Sequence, residues 1–295
     1  MKVGIVGLGS MGAAMACRLE QSEHELRVWN RSTTRSDEFA ERGIAVASSP
    51  RELLEWADVC VTILADGAAL DAVAADLFAA PLEGGETTWV EMSTIDPAAS
   101  AELAARAEGA GVEYLRAPVS GNPGVVAAGN LTIIASGPES ALERAKPALV
   151  AIGPNLFHVG AGEQARTMKL ALNLMLAATM QVMAEALAMG EAADLERAKM
   201  LEVMGASALG SPFVKYKTEA LIADDYSSTF SAKLLAKDLD LIVGAANADG
   251  VPVPLAAAVR QVTQSAIGAG MGELDLSALV PLARRDAGLT DSLPE

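Results

Sequence analysis

Residues 2–20 read KVGIVGLGSMGAAMACRLE, and this stretch decides how the first half of the chain folds. Lys2 to Val6 is a short apolar run. Gly7-Leu8-Gly9-Ser10-Met11-Gly12 follows at once, and a helical pattern then runs through Glu20. The order is strand, glycine turn, helix. The first glycine of a G-x-G-x-x-G turn permits the tight bend, and the second lets backbone approach a pyrophosphate. The third lets the helix pack on the strand, and the helix N-terminus attracts the phosphate charge. A bare G-x-G-x-x-G carries little weight, but here it follows a strand and opens a helix, the context the motif requires. The stretch predicts a dinucleotide site built on Gly7, Leu8, Gly9, Ser10, Met11 and Gly12.

The next strand, Glu25 to Trp29, ends in Asn30-Arg31-Ser32-Thr33-Thr34-Arg35. A site for NAD usually has Asp or Glu here, about twenty residues past the fingerprint, to accept from the ribose 2′-hydroxyl. This chain has no acid at the strand end. It has two arginines and several hydroxyls, a seat for a 2′-phosphate, which guanidinium groups bind bidentately. Asn30, Arg31, Ser32 and Arg35 therefore predict NADP(H) in preference to NAD(H), with NAD(H) as the lesser cofactor.

Val59 to Leu64 reads as a buried parallel strand ending at Ala65-Asp66-Gly67, and Thr87 to Met92 as another, ending in Ser93-Thr94-Ile95-Asp96-Pro97. Ligands of open α/β sheets sit beyond the carboxyl ends of the strands, so Leu64, Ala65, Asp66 and Thr94 join the predicted cofactor set. Asp66 and Asp96 read equally well as helix N-caps. Val112 to Ala117 is a further strand, followed by Pro118-Val119-Ser120-Gly121-Asn122-Pro123-Gly124. Side chains and exposed backbone N–H groups in that loop suit a carboxylate, and its composition also suits a plain turn. Strands at Leu131 to Ser136 and Leu156 to Val159 flank a helix from Glu139. A Gly160-Ala161-Gly162 hinge then closes a first domain of residues 1–161.

Residues 162–295 predict an all-helical second domain. It opens with GEQARTMKLALNLMLAATMQVMAEALAMGEAADL at 162–195. From Leu170 to Ala184 this segment is uncharged, with only Asn173, Thr179 and Gln181 polar. Leu, Met and Ala are strong helix formers, and a helix apolar nearly all round is buried on most sides or lies in a membrane. The charge-free run is shorter than the roughly 20 residues a bilayer span needs, so it reads as a central helix. Lys169 and Asn173 sit on one face of it, four residues apart. Helical patterns recur at Leu195 to Met204, Pro212 to Ile222, Ser231 to Ala248 and Pro254 to Gly268, and the tail from Arg284 reads as polar and frayed.

The chain has 295 residues, enough for two domains, and a formal charge of −16, which argues against nucleic acid or an anionic membrane as partner. A local basic pocket still admits a small anionic substrate. Cys17 and Cys60 lie in apolar surroundings and suggest neither a disulfide nor a metal site. Glycines interrupt the apolar start, so it reads as a strand, not a signal peptide, and a cytoplasmic protein is expected. The long apolar helix invites a second subunit, predicting a homodimer or homotetramer.

Taken together, Gly-Leu-Gly-Ser-Met-Gly at 7–12, Met-Ser-Thr at 92–94, Ala-Pro-Val-Ser-Gly at 117–121, Lys169-x-x-x-Asn173 and Lys237-Asp238-Leu239 resemble the β-hydroxyacid dehydrogenases. That family includes 3-hydroxyisobutyrate dehydrogenase and tartronate semialdehyde reductase. The resemblance implies an N-terminal Rossmann-type domain joined by a long helix to an all-α domain, with the site in the cleft between them. It implies Lys169 as general acid and base, and Asn173 as the residue that positions it. Ser120, Gly121 and Asn122 would hold the substrate carboxylate, and Lys237 would border both substrate and nicotinamide. A lysine in an apolar cleft has its pKa lowered towards the range useful for proton transfer. Arg116, Asn122 and Leu172 depart from the family's usual acid, glycine and asparagine, which leaves the hydroxy acid open. Phe213, Tyr216, Tyr226 and Phe230 are candidates for its pocket. Imine reductases share the architecture but generally lack the lysine, and 6-phosphogluconate dehydrogenase has a much larger helical domain. A non-catalytic NADPH-binding module is the reading from another class.

Overall fold

The computed structural model describes residues 1–82, 87–290 and 293–294. The chain divides into two units, Met1–Lys169 and Leu170–Glu295.

The first unit is built on a parallel sheet of β1 (Lys2–Val6), β2 (Glu25–Trp29), β3 (Ala45–Val46), β4 (Val59–Thr62), β5 (Thr88–Glu91) and β6 (Glu113–Arg116). Their order is β3-β2-β1-β4-β5-β6, so the winding reverses between β1 and β4, the point where doubly wound sheets bind ligands. The strands are apolar on both sides because both sides are covered. Val59 and Val61 of β4 join Val3, Ile5, Val90 and Leu115 in one core, against Met15 and Leu19 of α1 (Ser10–Glu20) and Leu149 of α7 (Glu139–Ile152). The intervening Cys60 and its neighbours Trp89 and Tyr114 face the other core. There they meet α3 (Pro50–Trp56), α4 (Gly67–Leu77) and α5 (Pro97–Gly109) through Leu53, Leu70 and Leu103. That alternation is the two-residue period of a strand buried on both faces. The remaining helices of the unit are α2 (Thr33–Ala40) and α6 (Pro123–Ala127).

The strands expected near 131–136 and 156–159 form a separate sheet. β7 (Val119–Ser120) runs antiparallel to β8 (Thr132–Ala135), which pairs in parallel with β9 (Asn155–His158). The Pro118–Gly124 segment is therefore not a plain turn: it holds a short strand and the start of α6.

A single helix, α8 (Gln164–Glu191), begins in the first unit and continues into the second. The division falls about two helical turns after the boundary expected at Gly162, because buried polar bonds hold the helix's first turns to the sheet. By length and hydropathy α8 would meet the requirement of a bilayer span. In the second unit its Ala177, Met180, Ala184 and Leu187 form a buried stripe. They pack with Leu239 and Ile242 of α11 (Ala232–Ala248), Val259 of α12 (Pro254–Ala266) and Leu282 of α13 (Leu279–Asp286). The opposite side exposes Met175, Val182 and Met189, seven residues apart. Burial on most sides was expected; within this chain one stripe is buried and the opposite one is exposed. The shorter helices α9 (Arg197–Ala206) and α10 (Pro212–Ile222) complete the unit.

The tail from Arg284 was expected to fray, but Arg284 and Arg285 lie within α13. Leu279, Val280 and Leu282 bury that helix, and Arg284 Nε donates to Glu191 at 2.6 Å. Residues 291, 292 and 295 of the expected tail lie outside the described residues.

Candidate active site

The glycine turn divides its work as the motif requires. Gly7 has φ +98°, and a side chain there would strike the Ile63 carbonyl. A side chain at Gly12 would strike the Gly7 carbonyl, so this glycine lets α1 lie against the turn. Around Gly9 a Cβ would meet no atom within 4 Å, which leaves open ground above the turn. Helix α1 starts there with no side-chain cap on its first N–H groups. A pyrophosphate fits this arrangement, with backbone donors and the helix dipole facing it. Ser10 is exposed and Met11 half-buried, whereas the Leu8 side chain is wholly within the core. Asn30 has a local duty: its Oδ1 accepts from Leu8 N–H at 2.9 Å and its Nδ2 donates to the Ser32 carbonyl at 2.9 Å. It clamps the turn to the end of β2.

Arg31, Ser32 and Arg35 are exposed around the start of α2, which has no acid in its first turn and no side-chain cap from Ser32. Beyond β4, Asp66 caps α4 by accepting from Ala69 N–H at 2.8 Å, and beyond β5, Asp96 caps α5 through Ala98 and Ala99. Ala65 is exposed, while Leu64 and Thr94 are half-buried. Leu64 N–H donates to Ser93 Oγ at 2.8 Å, linking the two strand ends. Ser120 lies in β7. Gly121 holds φ +146°, where a side chain would press on Leu131 and Val125. Asn122 Oδ1 caps α6 by accepting from Val125 N–H at 3.0 Å, a use that occupies its acceptor and not its NH2 donors.

On α8, Lys169 is half-buried and Asn173 is 4% exposed one turn later. Asn173 Nδ2 donates to Asp238 Oδ2. Lys237 Nζ lies 2.9 Å from Asp238 Oδ1, an ion-pair contact without the alignment of a hydrogen bond. One buried carboxylate thus holds both the amide from α8 and the lysine beside it on α11.

The chain as a whole is similar to known proteins. Residues 2–160 match the NAD binding domain of 6-phosphogluconate dehydrogenase, and residues 160–283 match the NAD-binding domain of NADP-dependent 3-hydroxyisobutyrate dehydrogenase. The chain belongs to the β-hydroxyacid dehydrogenase family. Its relatives include the mitochondrial 3-hydroxyisobutyrate dehydrogenase of Drosophila melanogaster, 32% identical over 96% of this chain and 90% of that protein. Glyoxylate/succinic semialdehyde reductase 1 of Arabidopsis thaliana is 29% identical over 95% of this chain and 97% of that protein. The crystal structure of a 3-hydroxyisobutyrate dehydrogenase from Salmonella typhimurium superposes with a TM-score of 0.85 at 28% identity, covering 96% of this chain and 99% of that one. The protein is an NAD(P)-dependent hydroxyacid dehydrogenase.

Sequence reasoning about this β-hydroxyacid dehydrogenase missed three polar residues. Asp238 was quoted within the Lys237-Asp238-Leu239 motif but given no role, yet it shares the buried face of α11 with Leu235, Leu239 and Ile242. An acid at helical spacing among apolar residues was the available signal. Arg166 and Glu91 form an ion pair that is 1% and 0% exposed. Arg166 also donates to the Ser93 carbonyl at 2.8 Å, Ser100 Oγ at 3.1 Å and Tyr114 Oη at 2.8 Å. Burial pushes the Tyr114 phenol up, which keeps it protonated. Among the pocket aromatics, Tyr226 is a core residue at 6% exposure, because its ring packs within the helical unit and its hydroxyl reaches Asp224. Phe213 and Phe230 pack on that core, and Tyr216 is exposed.

Proposed function

We propose that this enzyme uses NADPH to reduce a small aldehyde or keto acid that carries a carboxylate, and in reverse oxidises the corresponding 3-hydroxy acid. The observation that carries the reading is Lys169, followed one turn later by an Asn173 whose orientation Asp238 fixes. Dihydronicotinamide supplies the hydride when bound. Lys169 Nζ donates the proton that neutralises the developing alkoxide, and withdraws it in the oxidative direction. Asn173 keeps substrate and lysine aligned, since its amide is restrained by a buried acceptor. Ser120, Gly121 and Asn122 offer hydroxyl, backbone N–H and amide donors to the substrate carboxylate. Lys237, steadied by Asp238, is the further residue this reading assigns to the substrate.

The NADPH preference is supported by Arg31 and Arg35 beside the uncapped start of α2. Semialdehydes, keto acids and cyclic imines incubated with NADPH or NADH, followed by absorbance, test both parts. Carbonyl turnover with NADPH is expected. Arg31→Ala is expected to lower kcat/KM with NADPH by about tenfold, the worth of one charge-assisted hydrogen bond, and to leave NADH nearly unaffected. No carbonyl turnover, together with imine turnover that survives Lys169→Ala, would overturn the reaction. A larger kcat/KM with NADH that is indifferent to Arg31→Ala would overturn the cofactor preference.

The exposed Met175, Val182 and Met189 on one side of α8 support assembly into a homodimer or homotetramer, because a second subunit there would remove three large apolar side chains from water. Light scattering is expected to report at least two copies; a clean monomer would refute it.

A further inference from the structure

Glu91 and Arg116 are register partners at the carboxyl ends of the neighbouring strands β5 and β6. Opposite charges side by side on two strands are placed to pair with each other. Here each reaches instead to the opposite charge at the start of α8. Glu91 Oε2 accepts from Arg166 Nη2. Arg116 donates through Nε at 2.7 Å and through Nη2 to Glu163 Oε1. The Glu163 carbonyl in turn accepts the N–H groups of Arg166 and Thr167, closing the first turn of the helix. Tyr114 joins the two pairs: the Arg116 guanidinium lies 4.6 Å from its ring centre, and its hydroxyl accepts from Arg166.

The dimensions explain why two pairs act as one device. Neighbouring strands lie about 4.8 Å apart, and three residues of helix rise about 4.5 Å. Residues 163 and 166 therefore meet β6 and β5 in step. Sliding α8 by one residue turns it by about 100° and breaks both pairs at once. Lys169 stands three residues beyond Arg166, on the same face.

We infer that Arg116–Glu163 and Glu91–Arg166 form a double charge clamp that sets the height and rotation of Lys169 against the cofactor-binding sheet. The four are positioning residues, and the inference rests on Lys169 being the proton donor. It also gives Arg116 a role: it is spent on Glu163 and stacked on Tyr114, so it brings no free positive charge to the substrate.

A charge swap tests the clamp. Arg116→Glu, Glu163→Arg and the double variant are compared for kcat, its pH profile and NADPH affinity by fluorescence titration. Each single variant is expected to lower kcat by about tenfold or more, as a small misplacement of a reacting group does. Added negative charge holds a lysine's proton longer and added positive charge releases it sooner. The high-pH limb for reduction should therefore move up in Arg116→Glu and down in Glu163→Arg. NADPH affinity is expected to stay within about twofold, and the swap to regain most of the lost kcat. Should Arg116→Glu fail to fold, Arg116→Gln takes its place and the swap still decides. Folded single variants with native kcat and pH profile, or a folded swap that regains nothing, would overturn the clamp. Lys169→Ala measured alongside separates the two ideas. If it is fully active, the proton-donor role falls. If it is inactive beside fully active single variants, only the clamp falls.

Discussion

Lys169→Ala will give a folded enzyme that binds NADPH as before and reduces its aldehyde about 10²–10⁴-fold more slowly, the usual contribution of a positioned general acid. The loss should fall in kcat more than in KM, because proton donation matters only as the carbonyl oxygen gains charge. Cofactor affinity should survive, because the glycine turn and the start of α1 are held by their own backbone and by the bonds of Asn30 to Leu8 and Ser32. Folding should survive as well, since Lys169 is only half-buried on a helix held by Arg166 and Glu163 on one side and by the apolar stripe on the other. Lys169→Arg keeps the charge but not a titratable donor, and is expected to recover little. Near-native kcat in the alanine variant would remove the central role proposed for this residue.

A large loss of stability is expected at Lys217, a residue given no part in the chemistry. Its Nζ donates to Asp275 Oδ1 at 2.6 Å, with the side chains 5% and 2% exposed. Thr229 donates to Oδ2 from both N–H and hydroxyl, and Ser277 does the same to Oδ1. The carboxylate thereby ties α10 to the segments before α11 and α13. Lys217→Met removes the cation paired with Asp275 and strands a buried anion, a change that typically costs about 3–5 kcal/mol. Lys217→Met with Asp275→Leu replaces the pair by apolar groups and should cost less than the single variant.

Acid sensitivity checks the same pair. Burial by itself favours protonated Asp275, but the hydrogen bond and charge of Lys217 outweigh it, with Ser277 assisting, and hold the carboxyl below the usual carboxylate range. A folded pKa below the unfolded value, about 3.9, contributes stability that is fully present above that value. It is lost as pH falls through the lower, folded pKa. Urea unfolding at several pH values should show wild type losing this share in acid and the double variant lacking it. A single variant as stable as the double, or identical acid limbs, would refute the pair's role.

The fold was legible wherever the deciding information is local. A strand, a glycine turn and a helix within twenty residues specify the nucleotide end of the sheet, and 3.6-residue periodicity marks the helices of the second unit. Lys169 and Asn173 were expected on one helix, one turn apart, and both lie in α8. What escaped was the partner of each buried charge. Nothing near Arg166 in sequence announces Glu91, and nothing near Asn173 announces Asp238, because these bonds join elements brought together only by folding. The last helix escaped for a related reason: two arginines suggested fraying, while the Glu191 that binds one of them lies at the far end of α8.

The three glycines of the opening turn also answer to different demands. Gly7 and Gly12 are required by the protein itself, since any side chain there meets its own carbonyls. They would be needed in a descendant that had stopped using a nucleotide altogether. Gly9 is required by nothing in the polypeptide, because a methyl group there touches no atom of it. In a lineage freed from its cofactor, Gly9 is the position at liberty to drift.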